Sequence, residues 1–129
     1  MNASPADSRV LIVEDAPANI QALTAILREK GYAISIATNG RQALDVLAAV
    51  RPDLILLDVM MPGKTGLEVC QHVRGIEHLQ SVQIIMLTAK GRETDMAKGL
   101  ALGANAYITK PFSTRDLVAQ VRSLLPSSA

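Results

Sequence analysis

Short apolar runs alternate along the chain with longer segments in which apolar residues recur every three or four positions. The first pattern predicts β-strands and the second predicts amphipathic helices. A helical segment follows each apolar run, so the chain is predicted to contain five β–α units. The predicted strands are VLIV (10–13), AISIAT (33–38), LILL (54–57), IIML (84–87) and AYIT (106–109).

Local signals mark several helix ends. Gly31 follows the first helical segment and Pro52 the second, while Thr65 and Glu68 form a capping-box pattern at the start of the third. The fourth segment, residues 93–102, has the weakest helical pattern. Its inner face is predicted to comprise Met96, Ala97, Leu100 and Ala101.

Alternating strands and helices favour a parallel sheet with helices on both faces. The first, third and fourth strands are continuous apolar runs, as in central parallel strands, whereas the second and fifth are more polar and are expected at the edges. The predicted fold class is therefore α/β: a doubly wound five-stranded parallel sheet of order 2-1-3-4-5, a flavodoxin-like (βα)5 arrangement. We predict one domain at 9–125, with a flexible N-terminal tail at 1–8 and a C-terminal tail at 126–129.

Composition and charge narrow the class of protein. The single cysteine, Cys70, excludes an internal disulfide and suits a reducing cytosol. A formal net charge of +1 favours neither nucleic acid nor an acidic partner. No apolar stretch is long enough for a signal peptide or a membrane span. We therefore expect a cytoplasmic protein that contacts neither nucleic acid nor membrane directly.

Polar residues follow the predicted strands at their carboxyl ends, where ligands bind in sheets of this kind. Glu14 and Asp15 follow the first strand and Asp58 the third, so three carboxylates are expected to meet. The repulsion among three carboxylates is reduced when a cation lies between them. Mg²⁺ is a suitable cation because it prefers oxygen ligands. Thr88 and Lys110 follow the fourth and fifth strands. Together these residues predict an aspartate that accepts a phosphoryl group with Mg²⁺ as cofactor.

The chain resembles the receiver domain of bacterial two-component response regulators, of the single-domain chemotaxis-regulator kind, over roughly residues 9–125. The resemblance implies that Asp58 is the phosphoacceptor. It also implies that Lys110 contacts the phosphoryl group and precedes a cis bond to Pro111. The matching segments, in order, are VLIVED (10–15), LILLDVMMPGKTG (54–66), MLTA (86–89) and GANAYITKPF (103–112).

Further roles are implied by the same resemblance. The backbone N–H of Ala89 would bind the phosphoryl group, Thr88 would be the switch hydroxyl, and Tyr107 the switch aromatic. Ordinary packing of Tyr107 on an edge strand is the alternative. Asp15 could also cap the first helix. The implied metal ligands are Glu14, Asp15, Asp58 and the backbone carbonyl of Met60.

The expected function is a phosphorylation-dependent signalling switch. A histidine kinase or phosphotransfer protein would phosphorylate Asp58, and a downstream effector or output domain would read the face formed by the fourth helix, fifth strand and fifth helix. The domain would assist only its own phosphorylation and dephosphorylation, so it would not be an enzyme. Its oligomeric state would be a monomer or a phosphorylation-linked dimer.

Three other functions are less well supported by the residues. A haloacid-dehalogenase-like phosphatase normally carries an aspartate two positions after its nucleophile, where this chain has Met60. A nucleotide or flavin binder would need a glycine-rich turn after the first strand, where this chain reads EDAPAN. A docking module that is never phosphorylated would not need the intact set of acids.

Overall fold

The computed structural model describes residues 8–60, 65–89 and 91–125. Five strands alternate with five helices, as predicted, and a short 3₁₀ turn lies at Glu77–Leu79. The strands β1 to β5 are Arg9–Val13, Ala33–Ala37, Leu54–Asp58, Gln83–Ala89 and Ala106–Lys110. The helices α1 to α5 are Pro17–Glu29, Gly40–Ala49, Gly66–Arg74, Glu93–Ala101 and Thr114–Leu124.

The two predicted tails fall almost wholly outside the described residues. Of the N-terminal tail predicted at 1–8 only Ser8 is described, and its carbonyl accepts a hydrogen bond from Ala33 N–H at 3.0 Å. The C-terminal tail predicted at 126–129 is not among the described residues. The β1–β2 pairing therefore reaches one residue before β1 itself.

All strands of the sheet are parallel, and their order is β2-β1-β3-β4-β5, which confirms the predicted fold class. The more polar strands β2 and β5 lie at the edges, and β3 is buried along its whole length. Side chains alternate between two cores, because successive residues of a strand point to opposite faces. Leu23 of α1 and Leu117 of α5 pack on one face, while Ala43 of α2 and Val69 of α3 pack on the other.

The predicted inner face of α4 is wrong for three of its four residues. Gly99 is the buried residue of this helix, and a Cβ at that position would lie 3.1 Å from Cγ of Met86 in β4. The helix thus contacts the sheet through a residue without a side chain, which leaves no space for a leucine there. Met96 is half-buried, whereas the exposed residues are Ala97, Leu100 (44% exposed) and Ala101.

Arg74, at the end of α3, joins three parts of the fold. Its guanidinium donates to Asn105 Oδ1 at 3.0 Å, and the same oxygen accepts from Ile84 N–H of β4 at 2.8 Å. The side chain therefore connects α3 to the segment between α4 and β5. The other acceptors of the guanidinium are three carbonyl oxygens, those of Gly103 (2.9 Å), Gln80 (3.1 Å) and Leu79 (3.4 Å).

Replacement of Arg74 by lysine should lower the free energy of unfolding by about 1–3 kcal/mol. The charge is kept, but one ammonium cannot reach all the acceptors that the planar guanidinium bridges. Urea unfolding measures the change. The matched control is Arg41→Lys on the exposed face of α2, which should change stability by less than about 0.5 kcal/mol. Equal stability of the two variants would contradict the role given to Arg74.

Candidate phosphoacceptor site

Three carboxylates converge at the carboxyl ends of β1 and β3. Glu14 directly follows β1, and its N–H donates to Ala37 O at 3.1 Å, which extends the β1–β2 ladder to the site. Asp58 is the last residue of β3. One carboxylate oxygen from each of Glu14, Asp15 and Asp58 lies within 4.8 Å of the other two. Glu14 and Asp58 are 0% and 2% exposed, while Asp15 is exposed, so the cluster opens to solvent on the side of Asp15.

Among the described residues, Lys110 is the one positively charged side chain in this cluster. Its Nζ lies 3.1 Å from Asp58 Oδ1 and 3.6 Å from Glu14 Oε2. The Lys110–Pro111 peptide bond is cis, as the resemblance implied. Asp58 Oδ1 also accepts a hydrogen bond from Met60 N–H at 3.2 Å. The oxygen of the central aspartate is thus held by an ammonium and a backbone donor.

Within the described residues, the buried Glu14 has one carboxylate oxygen that lacks a hydrogen bond. Its Oε1 accepts from Ala16 N–H at 3.2 Å, but its buried Oε2 has no hydrogen-bond partner in the described part of the chain. Burial and the nearby charge of Asp58 raise the pKa of Glu14, and the Ala16 N–H and Lys110 oppose this only in part. The alternative cap for α1 is not found, because the N-cap is Ala16 and no side chain caps the helix.

The cluster meets the requirements of a hard divalent cation. Three carboxylates face a single ammonium, so ionising all of them leaves excess negative charge in a mostly buried space. Mg²⁺ takes carboxylate and carbonyl oxygens and keeps several waters, which an arrangement open on one side permits. The buried Oε2 of Glu14 makes no hydrogen bond in the described part of the chain and lies 3.6 Å from Lys110 Nζ, so it can still coordinate a metal ion. The residues present therefore fit this ion.

Replacement of Glu14 by glutamine should raise the melting temperature of the metal-free protein at neutral pH by a few degrees. Because the pKa of Glu14 is raised on folding, the folded protein holds this proton to higher pH than the unfolded chain, whose carboxyl ionises near 4.5. The contribution of Glu14 to wild-type stability must then fall as pH rises from 4.5 through the higher native pKa. The variant lacks this loss.

Thermal unfolding with a chelator, between about pH 4 and pH 8, measures the effect. Added Mg²⁺ should then stabilise the wild type more than the variant, because an ion that binds only the folded state raises its stability. Glu29→Gln at the exposed end of α1 is the matched control and should leave the profile unchanged. A stability difference between variant and wild type that stays constant or shrinks as pH rises over this window would contradict the prediction.

Gly66 shapes the backbone around Asp58, although nothing in the sequence alone indicates this role. A Cβ at Gly66 would lie 2.1 Å from the carbonyl oxygen of Asp58 and 2.9 Å from Cα of Val59. Gly66 N–H donates to Val59 O at 3.1 Å, and the predicted capping box of Thr65 and Glu68 is present beside it. The first turn of α3 therefore lies against the backbone of the central aspartate. Intervening residues 61–64, which belong to the quoted motif, lie outside the described residues.

Thr88 and Tyr107 lie on the same face of the sheet. Tyr107 pairs in register with Met86, which is two residues before Thr88 on β4. The Thr88 side chain is buried, and its hydroxyl donates only weakly to Ala89 O at 3.5 Å, the outer limit of a hydrogen bond. The Tyr107 ring is 40% exposed. The structure thus has a loosely held hydroxyl near the carboxyl end of β4 and an aromatic residue on β5 that is partly exposed to solvent.

The sequence model of the response regulator receiver domain family matches residues 10–122. The chain belongs to this family. Receiver domains are phosphoacceptor signalling modules of two-component signal transduction. They bind Mg²⁺ at an acidic site and interact with histidine kinases or phosphotransfer proteins.

Solved structures of other receiver domains superpose closely on this chain. A protein from Chloroflexus aurantiacus described as a response regulator is 35% identical, with a TM-score of 0.88 over 92% of this chain and 97% of its own. The receiver domain of a histidine kinase from Syntrophus aciditrophicus is 38% identical, with a TM-score of 0.85 over 92% and 89%.

A third structure contains an ion. The receiver domain of a sensor histidine kinase from Pseudomonas aeruginosa is 32% identical, with a TM-score of 0.85 over 93% of this chain and 98% of its own, and it holds magnesium in its active-site cleft. Among the described residues of the present receiver domain, no helix has the length and apolar character needed to cross a bilayer.

Proposed function

We propose that this receiver domain is a phosphorylation-dependent switch in which Asp58 accepts a phosphoryl group in the presence of Mg²⁺. The observation that carries the proposal is the contact of the buried Asp58 carboxylate with Lys110 Nζ at 3.1 Å, inside a cluster with two further acids. A structural ion pair alone would need no such excess of negative charge. The two further acids can hold Mg²⁺, and this ion balances the negative charge of an incoming phosphoryl group.

The ligands for Mg²⁺ would be the carboxylates of Glu14, Asp15 and Asp58 together with the backbone carbonyl of Met60. When bound, the ion neutralises charge on the phosphoryl oxygens and on the acids. An Asp58 carboxylate oxygen forms the new bond to phosphorus, and the bond from phosphorus to the donor breaks. The donor is a phosphohistidine of a kinase or phosphotransfer protein, or a small acyl phosphate.

The groups around Asp58 bind the incoming phosphoryl oxygens. Lys110 changes its partner from the carboxylate to a phosphoryl oxygen, while the Thr88 hydroxyl and the Ala89 N–H donate to others. The weak 3.5 Å bond of Thr88 costs little to break. Space left by Thr88 admits the Tyr107 ring from the same face of the sheet, which gives two states of the surface formed by α4, β5 and α5.

A downstream effector or an output domain reads that surface, and the protein acts as a monomer or as a dimer linked to phosphorylation. The exposed Leu100 of α4 and Tyr107 of β5 support this assignment, since they leave apolar side chains in solvent on this side. The domain comprises residues 9–125 and acts on no substrate but itself. We place it in the cytoplasm, where the free, buried thiol of Cys70 stays reduced.

Mass spectrometry after incubation with acetyl phosphate tests the function. The wild type should gain the mass of one phosphoryl group with Mg²⁺ and none with a chelator, because the excess negative charge otherwise repels the donor. A phosphatase of the haloacid-dehalogenase kind would instead release phosphate continuously from a general phosphate-ester substrate. Failure to gain mass with saturating Mg²⁺ would refute the switch.

A further inference from the structure

A cleft on the side of α1 and α5 gathers three cationic side chains away from the carboxylate cluster. It has a volume of about 320 Å³, and its lining contains no acidic residue. Lys30, at the C-cap of α1, contributes one charge, and α5 contributes the other two. The lining residues are Lys30, Thr114, Arg115, Val118, Ala119 and Arg122. We call this surface the α1–α5 cleft.

The charges of the cleft are not neutralised within the described part of the chain. None of Lys30, Arg115 and Arg122 has a carboxylate within 4.0 Å there, whereas Lys110, Arg92 and Arg51 each have one. Burial raises the pKa of the Tyr32 phenol, and the positive charge of Arg122 opposes this rise. Three cations on a protein whose formal net charge is only +1 form a local excess.

The spacing of Arg115 and Arg122 indicates how the negative groups of a bound partner would be arranged. Arg115 and Arg122 are seven residues apart on α5, so their Cα atoms lie about 10 Å apart along the helix axis. A single phosphate ion pairs with both guanidiniums only if both side chains bend toward the middle of this stretch, over Val118 and Ala119. A helix laid along α5 presents carboxylates at positions i and i+7 on one face with the same spacing.

The surface between the arginines is apolar. Val118 and Ala119 lie in the middle of the stretch, so a partner needs apolar residues between its acids. A second copy of this chain, docked through the same cleft, would bring like charges together. The positive charge and the apolar middle of the cleft therefore favour a partner other than a second copy of this chain.

We infer that the α1–α5 cleft binds an acidic amphipathic helix of a partner protein, with carboxylates one heptad apart on either side of small apolar side chains. This interaction does not rest on the phosphorylation of Asp58, and it uses the side of α5 next to Lys30 of α1, not α4 or β5. It would give the protein a constitutive docking point beside its switch.

NMR titration of the ¹⁵N-labelled protein with a synthetic peptide tests the inference. The probe is a helical peptide of about 15 residues with glutamates seven positions apart and alanine and leucine between them. We expect shifts at Lys30 and along α5 from Thr114 to Arg122. The double variant Arg115→Gln/Arg122→Gln should bind more weakly, by about two- to fivefold for each cation removed. Arg41→Gln on α2 is the matched control and should bind as the wild type does.

Three outcomes would overturn the inference. One is a dissociation constant weaker than about 1 mM for the peptide. Another is equal binding of a scrambled peptide of the same composition, which would indicate unspecific charge attraction. The third is larger shifts in the cleft with inorganic phosphate or with a short DNA duplex than with the peptide. Folding of the double variant is checked by its melting temperature, which should match that of the wild type.

Discussion

Replacement of Asp58 by asparagine should abolish phosphorylation of this receiver domain by acetyl phosphate. The amide that replaces the carboxylate is not a nucleophile, so no bond to phosphorus can form at this position. The substitution keeps the shape of the side chain and removes one of the mutually repelling charges, so the fold should persist. Mass spectrometry of wild type and variant under identical conditions measures the difference.

Asp45→Asn is the matched control for this substitution. Asp45 is an exposed aspartate of α2 for which no ion pair or hydrogen bond is found in the described residues, and its replacement should leave the mass gain intact. Phosphorylation of Asp58→Asn to the wild-type level would place the acceptor elsewhere and end the assignment. Circular dichroism would check that the loss does not reflect unfolding.

Replacement of Gly66 by alanine should destabilise the protein by about 3 kcal/mol, at the upper end of the usual cost of overpacking. The new methyl group would lie 2.1 Å from the carbonyl oxygen of Asp58, which is backbone and cannot rotate away. Helix α3 must then move outward, and the carboxylate of Asp58 moves with the strand end. Urea unfolding measures the loss of stability.

The reduced stability should be accompanied by slower phosphorylation, since a displacement of the reacting group costs rate even where the fold survives. Gly75→Ala, at the other end of α3, is the control. Gly75 has a negative φ of −86° and its nearest neighbour to an added Cβ is 3.5 Å away, so alanine fits there. Equal stability of the two alanine variants would show that the close contact at Gly66 is not a constraint.

The candidate site could be located from the sequence because its residues follow strands. Glu14, Asp58 and Lys110 each stand at or next to a strand's carboxyl end, and parallel strands bring such ends to one edge. The structure places Asp58 Oδ1 at 3.1 Å and Glu14 Oε2 at 3.6 Å from Lys110 Nζ. The sequence did not predict that Glu14 is buried and Asp15 exposed. Adjacent residues point to opposite sides. Which of the two sides is covered depends on the packing of the rest of the chain.

Helix α4 shows the limit of sequence periodicity. The pattern predicted that Ala97, Leu100 and Ala101 would be buried, but the helix contacts β4 through Gly99 and exposes these residues. Periodicity locates an apolar stripe, and it does not decide whether that stripe faces the core or another protein. That depends on the distance between helix and sheet, which Met86 limits here.

The sequence by itself determined the strand order, the edge strands, the capping box of α3 and the edge of the sheet at which the acids meet. These features depend on hydrophobic periodicity and on turn and cap chemistry, which are local properties of the chain. Only the tertiary structure decided the hydrogen bonds of Arg74, the close approach of Gly66 to Asp58 and the α1–α5 cleft. Each joins residues far apart in sequence, and their contact depends on how helices pack on the sheet.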